Sequence, residues 1–281
     1  MTDITTSICY VTMFLDIGRA DWKNVFTRTF EQYLKDFEPF IPLFNKKTCG
    51  NDLLFVFIDK KCESKLKDKI NSYKVHDNKF NITVLAIDND FMNLLPMWKT
   101  LNKEREIMNS IDFKNTVGWR HIYPEHIFPE YTLINHCKID VICSLIQSKK
   151  ISHKYYCWVD FGFFKLQKNI PKKLLDINKF NLESINYTLL NHIDDRDKDI
   201  LYTLHSAPEK VGGFFFFGRD DKLKEYQKLY HEILNYFQNT LNIADDDQHL
   251  VLQCYFKNPS LFTMHYLGEW HSVLEKYQKL E

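Results

Sequence analysis

The sequence predicts an α/β fold: a mostly parallel central sheet flanked by helices. Three observations carry that expectation. Short apolar runs of strand composition alternate with amphipathic stretches at helical spacing through the first 160 residues. The run from Tyr155 to Phe164 is apolar or aromatic except at Asp160 and Gly162, the pattern of a strand buried on both faces. A hydrophobic content of 44%, with 15% aromatic residues, is ample for a sizeable core in 281 residues.

In chain order, Ser7 to Phe14 reads as the first strand. Asp21 is placed to cap a helix from Trp22 to Phe37, where Trp22, Val25, Phe26, Phe30, Tyr33, Leu34 and Phe37 recur at helical spacing. Leu53 to Ile58 is the second strand, Glu63 to Tyr73 an amphipathic helix, and Asn81 to Ile87 the third strand. Lys99 to Ser110 reads as helical, Trp119 to Pro129 as irregular because two prolines interrupt it, and Tyr131 to Lys149 as one helix. The strand Tyr155 to Asp160 follows. Beyond it, the charge run Asp194 to Asp199 predicts a solvated loop, Gly212 to Gly218 a glycine-flanked strand, and Asp220 to Leu241 a long helix. Asp245 to Gln248 opens a helix through Tyr255, and Leu261 to Gly268 is a closing strand. With no repeat or Pro/Gly linker, one domain over residues 1–281 is expected, its halves divided near residue 165.

Composition excludes several classes. Lys plus Arg and Asp plus Glu each total 37, so the zero net charge argues against nucleic-acid binding. Seven scattered cysteines without a C-x-x-C pair suit reduced thiols, hence a cytoplasmic protein. The apolar run Ile8 to Leu15 is too short to span a membrane, and no basic residue precedes it. G-x-G-x-x-G, Walker A and G-x-S-x-G patterns are absent. His121, His126, His136 and Cys137 match no strong zinc spacing.

Three polar clusters interrupt the apolar framework: Asp160 with Gly162, Asp245 to Gln248, and His265 with Gly268, Trp270 and His271. Parallel sheets bind ligands beyond the carboxyl ends of their strands, where Asp16 and Asp160 fall. Carboxylates with one imidazole there suit Mg²⁺ or Mn²⁺, which could neutralise a leaving diphosphate. Each cluster also has a plain structural reading. Asp245 to Asp247 fit a helix N-terminus, and a lone His265 in an apolar strand is commonly a satisfied core residue.

Taken together, these clusters resemble the GT-A nucleotide-diphospho-sugar transferases, and among them the bacterial HtrL/YibB (WlaTC-type) family. The stretch Tyr10 to Arg19 looks like that family's N-terminal motif, Trp158-Val159-Asp160-Phe161-Gly162 like its central W-[IV]-D-F-G, and Asp247-Gln248 like its late acidic-Gln pair. A more distant likeness to the glycogenin and LgtC type rests on Lys138, Asp160 and His265 to Trp270 occurring in order. The resemblance implies a GT-A (Rossmann-like) fold and transfer of a sugar, from a UDP-linked or similar donor, to a hydroxyl of a glycan, lipid glycan or protein. By it, Asp160 and His265 would hold Mn²⁺ or Mg²⁺. Thr12, Phe14, Asp16, Arg19, Lys138, Asp160 and Gly162 would surround the donor, with Lys138 approaching its phosphate or sugar. Asp246, Asp247 and Gln248 would be catalytic, facing the donor sugar or acceptor. Gly162 replaces the second Asp of D-x-D, and the late motif lacks its Lys-Pro. The alternative is a non-catalytic nucleotide-sugar- or glycan-binding protein on the same scaffold. A metal-dependent phosphohydrolase rests on the acidic clusters alone.

Overall fold

The structure, a computed structural model, describes residues 6–74, 79–166 and 170–279. Seven strands form one sheet: β1 (Ile8–Phe14), β2 (Leu53–Asp59), β3 (Ile82–Ile87), β4 (Tyr155–Val159), β5 (Ile185–Leu189), β6 (Val211–Arg219) and β7 (Phe262–Tyr266). Their order is β3-β2-β1-β4-β6-β5-β7, so the sheet joins both expected halves of the chain. β1 pairs in parallel with β2 and β4, β2 with β3, and β5 with β7. Only β6 runs against its neighbours, β4 and β5. The sheet is therefore mostly parallel, as expected.

The described residues include seven helices of eight residues or more: α1 (Phe30–Phe37), α2 (Glu63–Ser72), α3 (Leu101–Asn109), α4 (Pro129–His136), α5 (Lys138–Ser148), α6 (Asp220–Asn235) and α7 (Asp247–Lys257). Alternate residues of the central strands enter two cores on opposite faces. Cys9, Val11, Met13, Tyr156 and Trp158 belong to one, and Ile8, Tyr10, Tyr155, Cys157 and Val159 to the other. Burial on both faces explains the nearly continuous apolar composition of β1, β2 and β4, interrupted by Thr12 and ended by Asp59 in the first two. All seven cysteines are free and buried. No helix among the described residues is long and apolar enough to cross a membrane.

Several boundaries differ from expectation for local reasons. The first long helix begins at Phe30, because Thr29 and Gln32 form a capping box; Asp21 instead lies in a short 3₁₀ turn. The predicted helix Tyr131 to Lys149 is two helices meeting at Cys137, which places Lys138 at the start of the second. Trp119 to Pro129 folds as a 3₁₀ turn and a four-residue helix. The long helix after β6 changes to a π-helix over Tyr236–Leu241. The charge run is not simply solvated: Asp197 is fully buried, caps a turn with Asp194 and pairs with Lys210 at 3.0 Å. β5 has no counterpart in the sequence reading.

Candidate functional site

The carboxyl ends of β1, β2 and β4 and the amino end of β6 open onto one cleft of about 870 Å³. Its walls come from the segments following β1 and β4, from α1, α4 and the starts of α2, α5 and α7, and from Trp270 and His271.

At the inner wall, β4 delivers Asp160 and α7 delivers Asp247 to one ammonium group. Lys138 Nζ donates to Asp247 Oδ2 at 2.8 Å and to the Gly213 carbonyl at 2.8 Å, and lies 3.2 Å from Asp160 Oδ1. These three acceptors match the three N–H bonds of an ammonium. Burial works against the charge of Lys138, but Asp160 and Asp247 outweigh it and hold its pKa above the usual lysine value. Lys138 is therefore spoken for. It ties two carboxylates together at the cleft wall, where the resemblance would have it approach the donor phosphate or sugar.

Asp160 Oδ1 also accepts from the Trp158 indole at 2.8 Å, which fixes the carboxylate while its side chain stays 35% exposed to the cleft. The close approach of Asp247 requires a glycine on β6. A Cβ at position 213 would stand 2.6 Å from Asp247 Oδ2. Asp246 caps α7, its Oδ1 accepting from the His249 backbone at 3.0 Å, and both Asp246 and Gln248 face the cleft. Burial and the charges of Asp245, Asp247 and Glu125 push the Asp246 carboxyl up to about 6, against the pull of His249.

The lining also carries cations. Arg19 donates to the Phe26 carbonyl at 2.8 Å and to the Tyr33 hydroxyl at 2.6 Å, and its guanidinium sits 5.2–5.9 Å from the rings of Trp22, Tyr33 and Tyr131. Among the described residues no carboxylate lies within ion-pair distance of it. Arg28 lies 3.7 Å above the Tyr33 ring and pairs with Asp36. Its guanidinium fills the space where a side chain at position 162 would project, 2.8 Å from a Cβ built there. Burial, then Arg28 and Arg19, lower the pKa of Lys165, so three cations crowd one region.

The remaining expected residues divide. Phe14 walls the cleft and packs on Phe30, Tyr33 and Phe161. Asp16 reaches the cleft and closes its own turn, accepting from the Gly18 amide at 3.0 Å. Thr12 does not reach it: the residue is fully buried inside β1, away from the cleft lining, and its hydroxyl has no hydrogen-bond partner. His265 is also elsewhere, bonded through Nε2 to Asn186 Oδ1 at 2.8 Å and packed against Phe180 and Tyr277. The imidazole that does line the cleft is His271, at φ 61° after Trp270, with its Nδ1 unpartnered. Burial lowers its pKa to about 4, opposed by the charge of Asp160, so the ring is neutral near pH 7. Asp160 and His265 thus share no ligand set, and Arg28 occupies the second carboxylate's place. The residues do not fit the D-x-D-type Mn²⁺ or Mg²⁺ centre that the resemblance implied.

Sequence reasoning missed Arg28 and Lys165 as site residues, and neither belongs to a motif. His271 stands in the third polar cluster of the sequence, where the ligand role fell to His265 instead.

Residues 6–278 match the family described as "Bacterial protein of unknown function (HtrL_YibB)". The chain is 25% identical over 287 residues to Protein HtrL of Escherichia coli (strain K12), covering 97% of this chain and 93% of that protein. Among solved structures, 4-diphosphocytidyl-2C-methyl-D-erythritol synthase from Anaerococcus prevotii DSM 20548 is similar at a TM-score of 0.41 and 12% identity, over 96% of this chain and 89% of that one.

Proposed function

The chain belongs to the HtrL_YibB family, and from that premise we propose that it is a glycosyltransferase taking a sugar from a nucleotide-diphosphate donor to an acceptor hydroxyl. One observation carries the reading. A carboxylate pair fixed by Lys138 and three cations, Arg19, Arg28 and Lys165, line one cleft at the carboxyl ends of parallel strands. A nucleotide-diphospho-sugar has matching polarity: an anionic diphosphate and a hydroxyl-rich sugar. The diphosphate lies against Arg19, Arg28 and Lys165, whose charge stabilises it as the bond from phosphate oxygen to sugar C1 breaks. Asp160 and Asp247 accept hydrogen bonds from the sugar hydroxyls. Asp246 and Gln248 orient the acceptor hydroxyl, which bonds to C1 and loses its proton to solvent or to a carboxylate. Phe14 and the ring cage around Arg19 hold the nucleotide. A divalent ion has no assigned role in this scheme.

The test is release of nucleoside diphosphate by the purified protein from a panel of UDP-, GDP-, CDP- and dTDP-sugars. Turnover with at least one donor, lost in Asp160→Ala with Tm unchanged, is the expected result. Undiminished turnover in Asp160→Ala refutes the assignment. Saturable donor binding without any release would make the chain a nucleotide-sugar-binding protein instead.

A further inference from the structure

Behind the cleft wall, the short helix Pro124–Ile127 meets the beginning of α7. Four side chains with metal-binding chemistry converge there: His126 from one side, Asp245, Asp246 and His249 from the other. His249 Nδ1 lies 2.8 Å from Asp245 Oδ2 and 3.6 Å from Asp246 Oδ1, and His126 Nε2 lies 3.6 Å from Asp245 Oδ1. Ligand atoms of Asp245, Asp246 and His249 all fall within 4.8 Å of one another. His126, Asp245 and His249 are at most 2% exposed, whereas Asp246 reaches the cleft.

His126 distinguishes this cluster from an ordinary buried ion pair. Its Nδ1 is 3.1 Å from the Arg120 carbonyl, and a carbonyl only accepts, so Nδ1 carries a proton. In the neutral ring the lone pair is then on Nε2. That atom is buried, has no hydrogen-bond partner, and faces the Asp245 carboxylate beyond hydrogen-bond distance. With that ring neutral, two electron-rich atoms face each other across a 3.6 Å gap, an arrangement that a cation between them satisfies. An imidazole anchored through one N–H to a backbone carbonyl, with the other nitrogen free, is also the usual posture of a metal-ligating histidine.

We propose that His126, Asp245, Asp246 and His249 bind one Zn²⁺ ion at the base of α7. Two imidazoles and two carboxylates are a donor set suited to four-coordinate zinc, and poorer for Mg²⁺, which prefers oxygen ligands. The ion ties the 124–127 helix to the turn that presents Asp246, Asp247 and Gln248 to the cleft. One Asp246 oxygen goes to the metal and the other stays available to the cleft. The site is separate from Asp160 and does not depend on the chemistry assigned to the cleft.

The test uses full-length protein stripped with a chelator and titrated with Zn²⁺ by calorimetry. One equivalent binds and raises Tm. His126→Ala and Asp245→Asn each weaken binding about 10–100-fold or more, the range by which even outer-shell partners alter metal sites. Asp160→Ala binds as the parent does, which separates this site from the donor reading. Crystals of the unaltered protein grown with Zn²⁺ show an anomalous peak at the zinc edge between His126 and Asp245, a readout that requires no variant to fold. Absence of saturable binding, unaltered affinity in His126→Ala, or an anomalous peak elsewhere overturns the proposal.

Discussion

Replacing Lys138 by Met removes the one cation shared by Asp160 and Asp247 while keeping an unbranched chain of similar length. Asp247 is the better buried partner, its side chain 11% exposed, and it would be left facing Asp160 without the ammonium between them. Breaking a buried ion pair from one side costs about 3–5 kcal/mol. The Asp160 arm is discounted, because its side chain is 35% exposed and solvent screens it. The lower end, about 3 kcal/mol, is therefore expected. At about 2 °C per kcal/mol for a chain of this size, Tm falls by about 6 °C. Urea denaturation followed by tryptophan fluorescence measures the loss directly. The double variant Lys138→Met/Asp247→Asn then recovers at least about 1 kcal/mol relative to the sum of the single losses, because the stranded charge has gone. A loss under about 1 kcal/mol, the size of a screened surface pair, or strict additivity in the cycle, refutes the bridging role.

Two further outcomes test neighbouring features. Gly213→Ala drives a methyl group into Asp247, whose Oδ2 is 2.6 Å from the Cβ position. Turnover should fall by at least tenfold while the loss of stability stays near 1–3 kcal/mol, the usual cost of local overpacking, and parental turnover in Gly213→Ala would show that the approach is incidental. Glu104 is fully buried, accepts from Gln238 at 2.7 Å, and has its pKa pushed up to about 8 by burial and by the charge of Asp245, against the pull of that hydrogen bond. A carboxyl raised in the folded state contributes stability at low pH that is lost as pH rises through 8. From pH 7 to 9 that loss amounts to about 1.4 kcal/mol. In Glu104→Gln the decline should be shallower by that amount; parallel stability profiles for parent and variant would contradict it.

What the sequence disclosed follows from which interactions are local. Strands buried on both faces leave nearly continuous apolar runs, so β1, β2 and β4 were legible, and the half-buried edge strand β3 was legible from its β-branched apolar composition. Asp160 stood out because an ionised group in such a run needs a partner. β5 was missed because Ile185-Asn186-Tyr187-Thr188-Leu189 mixes polar residues into a buried strand. There Asn186 bonds to the carbonyls of Asn181 and Ser184 and to His265, a satisfaction visible only in three dimensions. The same bond explains the misplacement of His265. Its order along the chain matched a metal ligand, but β7 lies at the far edge of the sheet, and Gly268, at φ 70°, turns the chain before Trp270 and His271 reach the cleft. Arg28 could not be read at all, because nothing local to it indicates that it packs at residue 162, and Lys165 belongs to no motif.

The replacement at residue 162 changes meaning once Arg28 is placed. As sequence, a glycine at the second carboxylate of D-x-D looks like a loss. In the folded chain the absent side chain makes room for a guanidinium, so the region gains a fixed cation where the longer motif would have held a metal through an anion. Lys138, 3.2 Å from Asp160, acts in the same sense and supplies a second fixed positive charge. Such an arrangement is a poor way to gain stability, since a buried trio of charges commonly contributes no more than apolar residues of equal volume. Its net charge of one negative unit (two carboxylates against one ammonium) also remains exposed to the cleft through Asp160. Charges held at this cost, with one carboxylate left 35% open, are better explained by what they present to a ligand than by what they add to the fold.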